Sequence, residues 1–350
     1  MKAFLLIFSF AIALASLLYT DTLTNTFKTL HKRFYSNTPP IRVIDPATGK
    51  MSAPRTIRRA ILAVQQSEGA GAKVRRSIGT PQLRNFSPFL MLDHFTIPPS
   101  AGFPDHPHRG QETITYLLSG SVDHEDFAGN KGTIYPGDLQ FMTAGRGIVH
   151  AEMPGQTGEQ KIEGMQLWVD LPEDLKMVEP RYRDLRAAEI PTIKVDEDKV
   201  EIKIISGKSH GTDSVKDLAY TPVWILDITI QPGGKVTQEI PPKWNAFAYT
   251  LGGKTAFANG AKEDVIDEYH NVVFNTEGDS VSASVKADAE KPGRFYLVAG
   301  QPLDQRVVQY GPFVMSSEEG VYQALSDYQT KSNGFERAAF WQSEIGKRMM

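Results

Sequence analysis

The chain has 350 residues, of which 41% are hydrophobic and 23% charged, a composition typical of globular proteins with length enough for two domains. Its formal net charge of -3 leaves no overall basic field, so direct nucleic-acid binding is not expected. It has no cysteine, which excludes disulfides, thiolate metal sites and cysteine nucleophiles, so any metal must bind nitrogen and oxygen ligands.

The N-terminal segment, residues 1–57, does not have a globular pattern. Residues 3–20 carry no charge and are rich in Leu, Phe, Ile and Ala, which indicates a signal sequence or a membrane anchor. Residues 22–60 are basic with Asp45 as their one acid, the balance of a mitochondrial transit peptide. A third interpretation is that Met51 is an internal start. The three stay open, and membrane contact is expected only through this leader.

After Arg59 the sequence predicts an all-β fold. Short β-branched and aromatic runs alternate with Gly, Pro, Asn and Asp, which favours an antiparallel barrel or sandwich. Clear examples are Thr113–Leu118, Lys203–Ile205, Val223–Ile230 and Arg294–Ala299.

Helical patterns are confined to the C-terminal end. Ser316 and Glu319 have the spacing of a capping box, and Val321, Leu325 and Tyr328 share one helical face. A second short helix is predicted over Phe335–Ile345.

Two echoes indicate an internal duplication. Tyr116–Gly120 is repeated as Tyr249–Gly253, and Gly137-Asp138 as Gly278-Asp279. With a join near Pro180–Asp198, the predicted segments are the leader 1–57, a first barrel 58–185 and a second barrel 196–350.

Two short motifs predict a metal site. In His106-Pro107-His108 and His150-Ala151-Glu152, residues i and i+2 point to one face of extended backbone, and Pro107 disfavours helix. Two such pairs on neighbouring strands can converge on one ion. Three imidazoles and a carboxylate suit iron, nickel, copper, zinc or manganese, and an octahedral ion keeps two positions open.

A second carboxylate competes for the fourth position. Glu112 follows the first motif as His-x-His-x-x-x-Glu, so Glu112 and Glu152 are both candidates. If Glu152 binds the metal, Glu112 is expected to hydrogen-bond a histidine ligand.

The predicted second barrel lacks the paired metal-ligand motifs of the first. By the repeat offset, His106 falls on Glu239 and His108 on Pro241, while His210 and His270 have no ligand-spaced partner. One metal ion per chain is therefore expected, in the first barrel.

Other residues near the motifs are weaker candidates. Arg146 between two glycines, with Gln140, is a candidate for binding substrate or partner, although a tight turn explains the glycines equally well. His124-Glu125-Asp126 lies near the site. His94 is predicted to be a turn residue, with a position near the mouth of the pocket as the alternative.

The motifs together resemble the pirin family. The resemblance rests on Phe103–Gly110 with Glu112-Thr113, on His124–Phe127, on Pro136–Gln140, and above all on the run Met142–Pro154 that ends in His-Ala-Glu-Met-Pro. It continues through Met177–Pro180, Gly311–Met315 and Asn333–Ala338, and covers about residues 58–346.

The resemblance implies two tandem cupin barrels, of the double-stranded β-helix or jelly-roll type, with short C-terminal helices. It implies Fe²⁺ in the first barrel on the residues that match His106, His108, His150 and Glu152, and so favours Glu152 over Glu112; other divalent metals remain open.

Two functions follow from the resemblance. The first is a dioxygenase similar to quercetin 2,3-dioxygenase, with a flavonol-like substrate, O₂ and Glu152 as general base. The second is an iron- and redox-dependent transcriptional cofactor that binds a transcription regulator. The family implies a nuclear or cytoplasmic location, whereas the leader raises a mitochondrial or membrane-anchored one.

Overall fold

The computed structural model describes residues 43–44, 51–69, 71–155, 161–215 and 219–349. The predictions for the leader lie almost entirely outside these residues. Within them, no helix is both long enough and apolar enough to cross a membrane.

The described chain is built from short antiparallel strands. The strands up to the join are β1 Val43–Ile44, β2 Met51–Ser52, β3 Ile57–Leu62, β4 Gln65–Glu68, β5 Ala72–Ile78, β6 Phe89–Ile97, β7 Phe103–His108, β8 Gln111–Ser119, β9 Val122–Asp126, β10 Lys131–Ile134, β11 Leu139–Thr143, β12 Ile148–Pro154, β13 Ile162–Asp170 and β14 Arg181–Leu185.

The strands after the join are β15 Thr192–Val195, β16 Val200–Ser206, β17 Lys208–Ser209, β18 Thr212–Asp213, β19 Val223–Ile230, β20 Lys235–Glu239, β21 Asn245–Gly252, β22 Thr255–Asn259, β23 Lys262–Ile266, β24 His270–Phe274, β25 Ser280–Ser284, β26 Gly293–Gly300, β27 Val308–Tyr310 and β28 Phe313–Met315. The helix α1 spans Glu318–Thr330, and 3-10 turns lie at Glu173–Leu175, Ala187–Glu189, Glu336–Ala339 and Gly346–Met349.

Two barrels repeat one sheet arrangement. In the first, a seven-stranded sheet has the order β14-β11-β8-β13-β6-β5-β4 and faces a four-stranded sheet β10-β9-β12-β7. In the second, the corresponding orders are β3-β24-β21-β26-β19-β16-β15 and β23-β22-β25-β20. The all-β fold of two tandem cupin barrels is therefore confirmed, and Tyr116 on β8 corresponds to Tyr249 on β21.

The second predicted correspondence between the two halves of the chain is wrong. Gly137-Asp138 precedes β11, whereas Gly278-Asp279 precedes β25, and β25 corresponds to β12. The dipeptides are unrelated turns, and each uses glycine because φ is positive there, +88° at Gly137 and +107° at Gly278.

A segment near each end of the described chain crosses to the other barrel. Strand β3 pairs with β24 and takes, in the second sheet, the place that β14 has in the first. Helix α1 follows the second barrel but packs, through Ala324 and Leu325, on first-barrel residues such as Met142 and Ile148. The boundaries 58–185 and 196–350 stay a prediction that this exchange complicates.

The barrels pack through their seven-stranded sheets. One apolar cluster joins alternate residues of both sheets, including Tyr116, Phe141 and Leu167 from the first and Phe247 and Tyr296 from the second. The opposite face of each sheet points into its own barrel. The second barrel is filled by a separate apolar cluster, which includes Ala248, Val272 and Leu297.

The C-terminal predictions are partly right. Val321 is buried and Leu325 and Tyr328 pack on the first barrel, as the helical pattern predicts. The cap is one residue later than predicted, because Ser317 accepts the hydrogen bond from the Gly320 amide. The helix predicted over Phe335–Ile345 is wrong, since that stretch forms only a short 3-10 turn at Glu336–Ala339.

Candidate metal centre

Three histidines from two paired strands meet in the first barrel. His106 on β7 lies opposite His150 on β12, and His108 lies opposite Ile148, so all three imidazoles project from one face of the four-stranded sheet. The ring centroids are 4.4 Å (His106–His150), 4.9 Å (His106–His108) and 5.0 Å (His108–His150) apart. One nitrogen of each lies within 4.8 Å of the others, so the histidine group can hold a metal ion.

The protein already engages one nitrogen of two of these rings. Nδ1 of His106 is 2.8 Å from the Pro104 carbonyl oxygen, and Nδ1 of His108 is 2.9 Å from Nε2 of Gln111, whose Oε1 has no partner among the described residues. With the two amide atoms of Gln111 exchanged, Oε1 accepts the Nδ1 proton of His108, as Pro104 does for His106. Each ring therefore presents Nε2 as its free nitrogen. Neither ring nitrogen of the buried His150 has a partner in the described part of the chain. This arrangement fits a metal, because a buried imidazole without partners gains one by binding an ion.

The lowered pKa values of two of the histidines also favour metal binding. Burial, and after it the proximity of His106, holds the pKa of His108 and His150 well below the ordinary range. Both rings are therefore neutral near pH 7 and present lone pairs, which metal binding requires.

Glu152 shares the cavity but not the histidine group. Its carboxylate accepts hydrogen bonds from Thr115 Oγ1 (3.3 Å) and Gln166 Nε2 (3.1 Å), and the side chain is buried. The mutual 4.8 Å group contains the histidines alone. Glu152 as the fourth ligand thus stays a prediction.

Glu112 points away from the histidines. Its carboxylate accepts from Thr143 Oγ1 (2.7 Å) and from the backbone amides of Tyr220 (3.1 Å) and Thr221 (3.4 Å). The expectation that it hydrogen-bonds a histidine ligand is wrong. Strand alternation explains why: Gln111, its neighbour on β8, faces the barrel interior and bonds His108 instead.

Two members of the histidine group, His106 and His108, line a cavity of about 460 Å³. Its walls combine apolar and aromatic side chains with polar ones, as is typical of small-molecule sites. Glu152 and Gln166 are the polar residues beside the histidines, and the other polar and charged lining residues are Glu68, Arg76, Arg84, Asp93 and Gln309. Apolar and aromatic lining residues are Val74, Leu90, Met91, Phe95, Phe103 and Trp168. The Trp168 ring stands edge-on to His108, with centroids 5.1 Å apart.

Gln166 and Trp168 were not predicted from the sequence. Gln166 accepts a hydrogen bond from Nε1 of Trp168 (3.0 Å) and donates to Glu152. The two residues are i and i+2 on β13, so the signal was the same period-two spacing that marks the histidines. The spacing is not distinctive there, because residues on both faces of β13 are buried and polar and apolar residues do not alternate along it.

Other predicted candidates lie elsewhere. Arg146 is on the surface, where its guanidinium pairs with Glu179 (2.8 Å), and it is not among the cavity-lining residues. Gln140 is buried inside the barrel. His94 is not a turn residue: it lies within β6, buried between Glu163 (2.7 Å) and the Tyr249 hydroxyl (3.3 Å) at the contact between the barrels.

The chain matches two family models. Residues 71–169 match the model described as Pirin, and residues 225–334 the model described as Pirin C-terminal cupin domain. The chain belongs to the pirin family. A pirin-like protein of Solanum lycopersicum is 49% identical over 293 residues, which are 84% of this chain and 98% of that protein. Human pirin is 47% identical over 297 residues, 85% of this chain and all of that protein (100%).

The fold is also similar to that of a solved enzyme. The structure of quercetin 2,3-dioxygenase from Acinetobacter baumannii superposes with a TM-score of 0.72 at 28% identity, and covers 80% of this chain and 98% of that one. The pirin fold of this chain is therefore shared with a protein whose name states a dioxygenase activity.

Proposed function

We propose that the chain is a metal-dependent dioxygenase that acts on flavonol-like aromatic compounds. The observation that carries the proposal is the histidine group at a cavity that is lined by His106, His108 and several aromatic side chains, with the buried carboxylate of Glu152 among the lining residues. The likeness to a quercetin 2,3-dioxygenase supports the choice of substrate.

The first role in this proposal is metal binding. His106, His108 and His150, with Glu152 as the predicted fourth ligand, would hold one divalent ion, and iron is the metal we propose. A bound iron ion supplies Lewis acidity and redox chemistry toward dioxygen.

The chain itself supplies orientation and proton transfer. Trp168 and Phe103 offer flat apolar surface to the aromatic rings of the substrate and exclude water. Glu152 accepts the proton of the flavonol hydroxyl as general base, and Gln166 and Thr115 hold its carboxylate in place for that step.

Oxygen consumption tests the proposal directly. Protein loaded anaerobically with Fe²⁺ is mixed with quercetin and oxygenated buffer, and both oxygen uptake and flavonol absorbance are followed. We expect turnover by the wild type, none by His150→Ala, and unchanged turnover by His270→Ala, whose ring bonds backbone carbonyls in the second barrel. Repeating the assay with Ni²⁺, Mn²⁺ and Cu²⁺ identifies the active metal, and no oxygen uptake with any of them would refute the proposal.

The role as a redox-dependent transcriptional cofactor in the nucleus stays a prediction from family resemblance. A pull-down of a transcription regulator tests it, and identical capture by the ferric and ferrous forms would count against it.

A further inference from the structure

The interior of the first barrel contains buried polar atoms that have no hydrogen-bond partner among the described residues. They are Oε1 of Gln111, both amide atoms of Gln140, both ring nitrogens of His150, the hydroxyl of Tyr182 and Oδ1 of Asp184. Of these, the Gln140 amide is close enough to the Tyr182 hydroxyl to lower its pKa. Buried polar atoms in folded proteins are nearly always hydrogen-bonded, either to protein or to ordered water. Their concentration in one place therefore marks a binding site for something polar.

The second barrel shows that the fold does not require this polarity. Strands β11, β8 and β13 of the first barrel correspond to β24, β21 and β26 of the second. One row of three paired residues crosses each set of strands, so the two rows can be compared position by position. The polar residues Gln140, Thr115 and Gln166 correspond to the apolar residues Val272, Ala248 and Leu297. Because an apolar filling also builds the barrel, the polar filling is a cost to stability that the fold alone does not explain.

The polar atoms lie close to the metal-binding side chains. The Gln140 amide lies beside the Tyr182 hydroxyl, and burial, then the charges of Asp184 and Glu152, raise the pKa of Tyr182 well above its usual range. The Tyr182 ring packs on His124 at 4.9 Å, and Nε2 of His124 is 3.0 Å from Asp184. His124 lies opposite Glu152 across β9 and β12, and Gln140 lies opposite Thr115, which bonds Glu152. These residues thus form one buried layer next to Glu152, which is two residues from His150.

We propose that Gln140 and Tyr182 hold an ordered water molecule against His150, and that this water fixes the imidazole in its metal-binding orientation. A metal-bound histidine normally uses its second nitrogen on a carboxylate, a carbonyl or a water. Pro104 and Gln111 fill that role for His106 and His108. His150 has no such protein partner in the described part of the chain, and a water bound by an amide, a hydroxyl and the ring has the usual three contacts.

Gln140 and Tyr182 are therefore positioning residues. The inference needs metal binding, which the proposed function shares, but not oxygenase chemistry. Its test accordingly measures metal affinity rather than turnover.

Two variants of the full chain carry the test. Gln140→Val introduces the residue of the second barrel, and Tyr182→Phe removes one oxygen atom. Affinity for Fe²⁺ under anaerobic conditions and for Ni²⁺ in air is measured by competition with a chelator, alongside the melting temperature of the metal-free protein. We expect each variant to bind metal about tenfold more weakly, with a metal-free melting temperature equal to or above that of the wild type.

A matched control is available in Tyr296→Phe. Tyr296 is also buried with an unpaired hydroxyl, but it lies in the apolar cluster between the barrels. We expect this variant to keep wild-type metal affinity. Unchanged affinity in both first-barrel variants, or an equal loss in Tyr296→Phe, would overturn the inference. If Gln140→Val does not fold, the nearly isosteric Tyr182→Phe decides alone. Wild-type protein that binds metal but takes up no oxygen with quercetin would count against the proposed function only.

Discussion

Gln166 donates a hydrogen bond of 3.1 Å to Oε2 of Glu152. The same amide group donates to Thr115 Oγ1 (3.2 Å), and its oxygen accepts from Nε1 of Trp168 (3.0 Å). Gln166 therefore ties the carboxylate beside the histidine group to an aromatic side chain of the cavity wall. A substrate that contacts Trp168 can in this way influence the position of Glu152.

Replacing Gln166 with Leu should remove the connection between Glu152 and Trp168. The carboxylate loses the donor of its shorter hydrogen bond while the volume of the side chain is nearly conserved, so we expect quercetin turnover to fall about 10- to 100-fold with little change in stability. Steady-state kinetics and thermal melting measure both. Gln305→Leu is the control, because Gln305 bonds Asp170 and the Leu171 carbonyl away from the cavity, and its turnover should be unchanged. Full activity of the metal-loaded Gln166→Leu protein would rule out this role.

The two candidate carboxylates should behave differently on removal. Glu152→Ala is expected to lose bound metal, since it is the buried carboxylate beside the histidines. Glu112→Ala is expected to keep the metal but to lose about 1–3 kcal/mol of unfolding free energy, because it leaves buried donors of Thr143, Tyr220 and Thr221 without their acceptor.

Metal analysis and urea unfolding of the two proteins distinguish these outcomes. Loss of metal from Glu112→Ala, with retention by Glu152→Ala, would reverse the assignment.

The sequence predicts those features of the site that depend on residues close together in the chain, and not those that depend on how distant strands pair. The histidine group was predicted because i and i+2 spacing is local and forces both members of a pair to one face. The face of Glu112 was not, since β8 is buried on both sides and shows no alternation of polar and apolar residues. Gln111 and Glu112 are both buried and polar, so only the sheet arrangement shows which of them points at His108.

The fold shows the same limit. Strands such as β19 were predicted to the residue, because their β-branched runs are bounded by turn residues. The exchange of β3 into the second sheet was not predicted, because the pairing of β3 with β24 joins residues more than two hundred positions apart, and nothing local specifies it. The helix predicted over Phe335–Ile345 is wrong because the apolar residues of that stretch do not share one buried face: Phe335 packs on Phe313 and Tyr328, whereas Phe340 is almost fully exposed.

A buried ion pair should anchor the C-terminal helix to the metal-bearing strand segment. Arg109, which follows His108, donates to Asp327 of α1 at 2.7 Å, and both side chains are almost fully buried. Asp327→Ala leaves the guanidinium uncompensated, so we expect a loss of about 3–5 kcal/mol in unfolding free energy. Glu318→Ala removes the exposed partner of Arg306 on the same helix and should cost about 1 kcal/mol or less. Equal losses in urea denaturation would contradict the distinction.

The pairing of Glu163 with His94 should make stability depend on pH in the acid range. The hydrogen bond from His94 is the main cause that lowers the pKa of Glu163 to about 2, from an ordinary value of 4.5. Because the folded pKa is depressed, the stabilisation is fully present above about pH 4.5 and is lost as the pH falls through 2. Glu163→Gln should therefore be less stable than the wild type at pH 6, and the difference should shrink steadily below pH 4.5.

Chemical denaturation at pH 6, 4 and 3 measures this difference in stability. The control is Glu344→Gln, which removes a carboxylate paired at the surface with Lys347, and we expect it to give only a small difference at every pH. A difference between Glu163→Gln and the wild type that is the same at pH 6 and pH 3 would show that the His94 contact does not stabilise the ionised carboxylate.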